Sequence, residues 1–328
     1  MSKSDGEFCK PFLVADIGGT NSRLGYAENG LVDRDSIKRY LNCEFSCFED
    51  IVRKFRSDFG NIELEGCCVA VAGPVEPRRA SLTNIDWTIE VDSLSNAAEC
   101  GTAMIINDLT AIGFGLNMAE SRDVHLVCGR TEPHLPSCIP SGKQLVVNVG
   151  TGFNTALVIS TSSGPIVSDA ECGRVTLPVR SELEHDLKLE IERLNGYAGI
   201  EDALSGRGVK AIHNWICRLN PTASPQSRTE HDSGFLKTVE WEKTGRILTG
   251  ILGTVVGDLA LHHLPNDGIY LVGGVVRGLA PHLLEFGFES AFRRKGDYSE
   301  FMRRFSVSVV TDDYLALKGC AASALAAE

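Results

Sequence analysis

Three short runs place glycines directly after an apolar stretch. They are Asp16-Ile17-Gly18-Gly19-Thr20-Asn21, Asn148-Val149-Gly150-Thr151-Gly152, and Gly273-Gly274 after Ile269–Val272. Glycines at such corners let the backbone approach phosphate oxygens and aim N–H groups at them, and Thr20 and Asn21 add neutral donors. Asp16 is suited to hold Mg²⁺ through water, because that ion keeps much of its hydration shell. A single corner of this kind is equally a tight hairpin. Three in one chain favour phosphate handling. A second carboxylate, Asp108, follows Asn107 at the end of the apolar run Ala103–Ile106, where an Asn-Asp pair also reads as the N-cap of a helix over Leu109–Leu116. Other nucleotide signatures are missing. No G-x-x-x-x-G-K-[ST] occurs, and the G-x-G-x-x-A from Gly206 to Ala211 does not follow a strand pattern, which disfavours a P-loop and a Rossmann site.

The elements that must position these residues are legible from periodicity. Residues 12–17 (FLVADI) form a β-rich run, and Arg23–Ala27 resumes a strand after the corner, so a hairpin is expected. Ile51, Val52, Phe55 and Phe59 share one face of a helix over Phe48–Phe59. CCVAVAGPV (67–75), stopped by Gly73-Pro74, and AMIIND (103–108) are further buried strands. Gln144–Val149 and Thr155–Ser160 repeat the strand, corner, strand pattern, and IYLVGG (269–274) is a third strand ending in glycines. VADIGGTNSRLGYA from Val14 superposes on VVNVGTGFNTALVI from Val146, with Asp16 on Asn148, as a duplicated fold would leave behind. Ser181–Leu194 and Gly245–Leu264 are helical patterns, and Asn220–Ser233 is a loop. Alternating strands and helices predict an α/β sheet architecture.

Composition bounds the function. The chain of 328 residues suggests two domains. Its net charge of −11 gives no footprint for wrapping nucleic acid or anionic lipid. The first residues show neither signal peptide nor anchor, and Ile247–Leu264 carries Asp258, His262 and His263, so it reads as a buried helix; Gly253-x-x-x-Gly257 within it reads as close helix packing. Eleven cysteines without a C-x-x-C pair or zinc spacing point to reduced thiols in a cytoplasmic protein.

The motifs VADIGGTNSRL (14–24), VAGPV (71–75), LTNIDW (82–87), IINDLTAI (105–112), VGTG (149–152), Glu171–Arg174, EDALSGRG (201–208), LVGGVV (271–276) and FGFESAFRRKG (286–296), in this order, resemble the bacterial-type glucokinases of the hexokinase and actin-like ATPase superfamily nearly end to end. The resemblance implies ATP- and Mg²⁺-dependent phosphorylation of a hexose at its 6-hydroxyl, glucose first, on a two-domain duplicated ribonuclease-H-like fold with an interdomain active-site cleft. The small domain would be residues 1–108 plus 312–328 and the large one 109–311. Phosphoryl transfer requires positioning, charge neutralisation and a base for the attacking hydroxyl, and a carboxylate at the C-terminal end of a strand meets the last need. The resemblance gives Asp108 that role. It assigns Asn107, Glu171 and Glu201 to the sugar, with Arg174 at a further sugar-contacting position, Gly18, Gly19, Thr20, Asn21, Gly150, Thr151 and Gly152 to the phosphates, and Gly273 and Gly274 to the adenosine side, while Asp16 remains the candidate for Mg²⁺ on its chemistry. Sugar and ATP are the implied partners, and a homodimer is the default oligomer.

The chain departs from the family pattern at four places. Arg174 stands where the family has a sugar-contacting His; Arg only donates, whereas neutral His also accepts, which opens the site to a different or more anionic sugar. Asn154 replaces the last glycine of the second corner, Asn148 precedes that corner, and Asp312-Asp313-Tyr314-Leu315-Ala316-Leu317 replaces the usual C-terminal motif. Two alternatives follow: a kinase for another sugar, and a sugar-binding regulator that has lost catalysis. The latter would need a basic helix-turn-helix segment before Asp16 to bind DNA, and none precedes it.

Overall fold

The computed structural model describes residues 10–82, 85–129, 142–220 and 238–326. These residues fold into two compact units, the described parts of Met1–Ala119 with Asp312–Glu328, and Glu120–Thr311.

The first unit opens with β1 (Phe12–Ile17) and β2 (Asn21–Glu28), the antiparallel hairpin around the first glycine corner, followed by the short β3 (Leu31–Val32) and by β4 (Lys38–Leu41). Helix α1 (Phe48–Asp58) buries Ile51, Val52 and Phe55 along the face expected from their spacing. Strand β5 (Gly66–Val71) is buried at every position because it lies between two neighbours, which is why it reads as an unbroken apolar run. A small sheet of β6 (Val75–Glu76), β7 (Arg79–Ser81) and β8 (Thr88–Glu90) leads to α2 (Val91–Ala98), then β9 (Thr102–Asn107) and α3 (Asp108–Gly115). The sheet order is β3-β2-β1-β5-β9, with β4 also paired to β2 and with β1, β5 and β9 parallel. Alternate residues of β1 face opposite cores: Leu13, Ala15 and Ile17 pack with Phe48, Ile51 and Phe55, while Val14 packs with Ala70 and Ala111.

The second unit comprises β10 (Val124–Cys128), β11 (Lys143–Val149), β12 (Phe153–Thr161), β13 (Gly164–Asp169), α4 (Glu182–Asn195), α5 (Ile200–Ala203), α6 (Gly206–Leu219), α7 (Val239–His263), β14 (Ile269–Val272), α8 (Gly274–Leu279), α9 (Phe288–Arg293) and β15 (Val307–Val310). Its order is β10-β15-β14-β11-β12-β13; β11 and β12 form the hairpin around the second corner, and β11, β14 and β15 run parallel. Ser181 caps α4 and Ser205 caps α6, each accepting from a backbone N–H in the first turn. The loop expected over Asn220–Ser233 lies outside the described residues after Asn220, as do Thr83 and Asn84 of the LTNIDW motif.

Helix α7 starts six residues before the expected Gly245, because Thr238 caps it by accepting from the Trp241 N–H. By length and mean hydropathy, 1.3, it could cross a membrane, yet 72% of that apolar window is buried within the protein, which marks a core helix. Its Gly253 and Gly257 permit close packing: a β-carbon at either would stand 2.6 Å and 2.5 Å from the carbonyl oxygens of Phe288 and Phe292 on α9. No disulfide links the described cysteines, and no cluster of three or more metal-ligating side chains occurs among the described residues.

The chain returns to the first unit with α10 (Leu315–Ala326), which packs on α3. The unusual acidic start of this segment serves the helix. Asp312 accepts from the Tyr314 N–H at 2.9 Å and pairs with Lys318 at 2.7 Å, while Lys318 also donates to the Met118 carbonyl. The two helices touch backbone to backbone. A β-carbon at Gly319 would lie 1.7 Å from the Ala111 carbonyl oxygen, and one at Gly115 would lie 2.3 Å from that of Leu315. Gly319→Ala is therefore expected to cost about 3 kcal/mol or more by overpacking. The check is a lower denaturant midpoint with an unchanged slope, since α3 carries Asp108 at its first position.

Candidate functional site

In the first unit, parallel pairing sets the level of two carboxylates. Ile17, Val71 and Asn107 pair across β1, β5 and β9, so Asp16 and Asp108 both stand at the carboxyl ends of parallel strands, on either side of β5. Such strand ends are where open α/β sheets bind ligands. Asp108 does not end the strand, as periodicity suggested, but begins α3. The reason is Asn107, whose side chain accepts from the Leu109 and Thr110 N–H groups at 2.9 Å and 3.3 Å and so starts the helix. Asn107 also donates to the Gly73 carbonyl at 3.3 Å, which fixes its amide plane. The cap reading of the Asn-Asp pair thus holds for Asn107, and it aims Asp108 from the first turn.

Burial, and after it the negative charge of Asp16, pushes the Asp108 carboxyl up to about 7. Backbone N–H donation from Leu109 acts in the opposite direction. Asp16 is also raised by burial, and Arg23, 3.5 Å away, offsets part of that cost. Two carboxylates close enough to perturb one another, with Arg23 as the nearby cation, form an oxygen donor set that fits a hydrated Mg²⁺ beside phosphates. The corner itself is held by the Gly18 N–H donating to the Asn21 carbonyl and by Asn42 donating to the Gly18 carbonyl. Gly18 and Gly19 do not use positive φ, so a left-handed turn is not what requires glycine there.

In the second unit, the Gly150-Thr151-Gly152 corner is closed by the Gly150 N–H on the Gly152 carbonyl, 2.9 Å, and tied to α6 by the Gly206 N–H on the Gly150 carbonyl, 2.8 Å. Gly273 follows β14 with φ of 104°, and a β-carbon there would stand 2.5 Å from the Val149 carbonyl oxygen and 2.6 Å from Asn148 Oδ1. Glycine is required at that position on both counts. Asn148, conspicuous in the sequence, is the side chain against which Gly273 closes.

Two glutamates of the unit, Glu171 and Glu201, are brought to the start of β12. Glu201, on α5, accepts from the Phe153 N–H at 3.2 Å and pairs with Arg207. Glu171 enters the turn Cys172-Gly173-Arg174, which has no room for a side chain at Gly173: a β-carbon there would lie 2.4 Å from the Phe153 carbonyl oxygen. Asn154 secures this turn. Its Oδ1 accepts from the Cys172 N–H at 3.0 Å and from its neighbour Thr155, and its Nδ2 donates to Glu171 at 3.4 Å. Arg174 is exposed, with its carbonyl held by the Tyr197 hydroxyl at 2.9 Å. The residue that departs from the usual glycine is therefore a strut for Glu171. Asn154→Gly removes these contacts and is expected to lower stability by about 1 kcal/mol or more, at about 1 kcal/mol per hydrogen bond lost. A lower urea midpoint with an unchanged slope would show it.

Arg23, Arg207 and Tyr197 were not singled out by sequence: Arg23 and Arg207 lie within the motifs 14–24 and 201–208, but their pairing with Asp16 and Glu201, like the Tyr197 contact to Arg174, is made only by folding. The signal available was a polar residue near each site carboxylate in the sequence, which is too common to select them.

These elements match known proteins. The glucokinase family model matches residues 13–327. A glucokinase of Sinorhizobium medicae is 26% identical over 330 residues, covering 98% of this chain and 94% of that protein. Among solved structures, the glucokinase of Balamuthia mandrillaris in complex with glucose aligns with a TM-score of 0.80 at 20% identity, covering 97% of this chain and 94% of that one. A ROK family glucokinase from Streptomyces griseus in complex with glucose and AMPPNP aligns at 0.61 and 18% identity, covering 95% and 98%. With the family model spanning nearly its whole length, the chain belongs to the glucokinase family.

Proposed function

We propose that this enzyme transfers the terminal phosphoryl group of ATP to the 6-hydroxyl of glucose, with Asp108 as general base. The observation that carries the assignment is the Asp108 carboxyl itself. It stands at the carboxyl end of the sheet beside the Asn107 cap, and burial with the neighbouring Asp16 charge pushes it up to about 7, where a base best combines the right protonation state with proton affinity. The glucose and AMPPNP complexes of the structural neighbours support the same pair of ligands.

In this reading Asp108 accepts the hydroxyl proton on a carboxylate oxygen as the sugar oxygen attacks. Glu171 and Glu201 accept from neighbouring hydroxyls and orient the ring, and Arg174 donates to it. The N–H groups at Gly18–Asn21 and Gly150–Gly152 cradle the phosphates, and Gly273-Gly274 lets the nucleotide approach the backbone. Asp16 would hold Mg²⁺, which would neutralise phosphate charge when bound. The matching strand orders, β3-β2-β1-β5-β9 and β13-β12-β11-β14-β15, each a hairpin continued by two parallel strands, support two ribonuclease-H-like copies.

The test is ADP release from MgATP with a panel of hexoses. Glucose-dependent release is the expected result. Release only with another or an acidic sugar would make Arg174 the specificity switch, and sugar binding without release from any hexose would overturn the kinase assignment in favour of a sugar-binding regulator.

A further inference from the structure

The phosphoryl-transfer reading leaves one reactive pair without a use. Cys67 lies in the middle of the first unit's sheet on β5 and is fully buried, whereas Cys100 sits in the turn between α2 and β9 and is only partly covered. Their sulfurs are 3.7 Å apart. The turn is held open to one side: Glu99 caps α2 with φ of 50°, a left-handed conformation that strains a non-glycine residue, and the Ser95 hydroxyl donates to the Cys100 carbonyl. Beside it runs Arg56, 4% exposed, whose Nη1 pairs with Glu99 at 2.9 Å while its Nε has no hydrogen-bond partner among the described residues. A buried guanidinium with an unused donor is a source of positive potential for a neighbouring thiolate.

We propose that Cys67 and Cys100 form an oxidisable dithiol, in which Cys100 is the nucleophile toward a hydroperoxide and Cys67 the thiol that resolves it. The Cys100 thiolate attacks one peroxide oxygen, the O–O bond breaks, and the departing oxygen leaves as an alcohol or water after taking up a proton, giving a sulfenic acid. Cys67 sulfur then attacks the Cys100 sulfur; the S–O bond breaks, and hydroxide leaves as water with the Cys67 proton. Two thiols are oxidised and one peroxide is reduced. Closing the pair to a disulfide length of about 2.05 Å requires the sulfurs to approach, and the partly exposed turn can supply that movement.

The order of roles follows from exposure, since Cys100 is partly covered and Cys67 fully buried. The contact between the two sulfurs, with a smaller contribution from the Arg56 charge, lowers the Cys100 thiol against the effect of burial. The same contact, joined by desolvation, pushes Cys67 far up. A second buried thiol, Cys320, lies 3.4 Å from the Ala15 carbonyl on the opposite face of the sheet and is raised by enclosure and by its neighbour Cys68. It has no access to an oxidant. Exposed Cys43 and partly covered Cys47 complete the contrast, since neither is described with a thiol partner.

The experiment treats the full chain with hydrogen peroxide, alkylates the remaining thiols and maps the peptides by mass spectrometry without reduction. The expected product is one link joining the Cys67-Cys68 peptide to the Cys100 peptide, lighter by two hydrogens and reversed by dithiothreitol. The link should survive Cys68→Ser and vanish in Cys100→Ser and in Cys67→Ser. In Cys67→Ser, and in Cys67→Ala as a second variant should Ser disturb the core, Cys100 should accumulate as a sulfenic acid trapped by dimedone. A link that persists in Cys67→Ser, or oxidation confined to Cys43 and Cys47 with Cys100 untouched, would overturn the proposal. Neither readout depends on sugar phosphorylation, so its failure would leave the kinase reading intact.

Discussion

Asp108→Asn is expected to lower kcat for glucose by about 10²- to 10⁴-fold, the contribution of a positioned general base, while the KM for glucose stays within a few-fold of the parent enzyme. Asn keeps the size and can still accept from the Leu109 N–H, so the start of α3 should be preserved. What it cannot do is take a proton. In the parent enzyme the acid limb of kcat/KM should have its midpoint near 7, set by burial of Asp108 and by Asp16, and activity should fall about tenfold per pH unit below it.

The same carboxyl carries a stability signature of opposite sense. Its folded pKa is raised above the ordinary 3.8, so folding favours the neutral acid; the contribution is fully present below 3.8 and is lost as pH rises through about 7. Above that pH the folded protein bears a disfavoured charge, with a ceiling of about 4 kcal/mol at 1.36 kcal/mol per pKa unit. Asp108→Asn, permanently neutral, should therefore be more stable than the parent at pH 8, with the difference closing toward pH 4. Urea midpoints at the two pH values would read it. A low-activity variant whose stability advantage over the parent widens as pH rises is what a base kept at a cost to folding predicts, and a residue serving only the fold would show the reverse.

The second large effect concerns Glu171 and Glu201, the carboxylates proposed to hold the sugar. Glu171→Gln and Glu201→Gln should each raise the KM for glucose about 10- to 150-fold, the equivalent of about 1.5–3 kcal/mol for a hydrogen bond to a charged group, with a smaller change in kcat. Gln at 201 can still accept from the Phe153 N–H, so the loss reports sugar contact rather than collapse of the turn. It also removes the ion pair with Arg207, an exposed partner whose own contribution to stability is small. Arg207→Ala separates the two effects. A KM near the parent value in that variant, beside a large rise in Glu201→Gln, assigns the change to the carboxylate.

The parts legible in the sequence were those written in short-range pattern. The hairpins at Gly18 and Gly150 were visible because strand alternation stops at glycine and resumes, and β5 because a strand with neighbours on both sides is apolar throughout. The α7 start was not, since capping by Thr238 extends the helix through polar residues that carry no apolar period. Asp108 was found as a candidate but placed on a strand; one capping side chain decides between strand end and helix start, and apolar periodicity does not register it. Asn154 was visible as an anomaly, yet its function, a strut to Glu171 and to the Cys172 N–H, depends on a contact seventeen residues away that only the folded sheet creates. The pairing of Cys67 with Cys100 is longer still, and nothing in the spacing of eleven scattered cysteines distinguishes it.

The central claim is tested most directly by the chemical identity of the product. The enzyme should be incubated with MgATP and uniformly ¹³C-labelled glucose, and the sugar examined by NMR for carbon–phosphorus coupling. Coupling at carbon 6, appearing in step with ADP and absent with Asp108→Asn, is the predicted result. ADP formed with free phosphate and unmodified glucose, or equal product from Asp108→Asn, would contradict it.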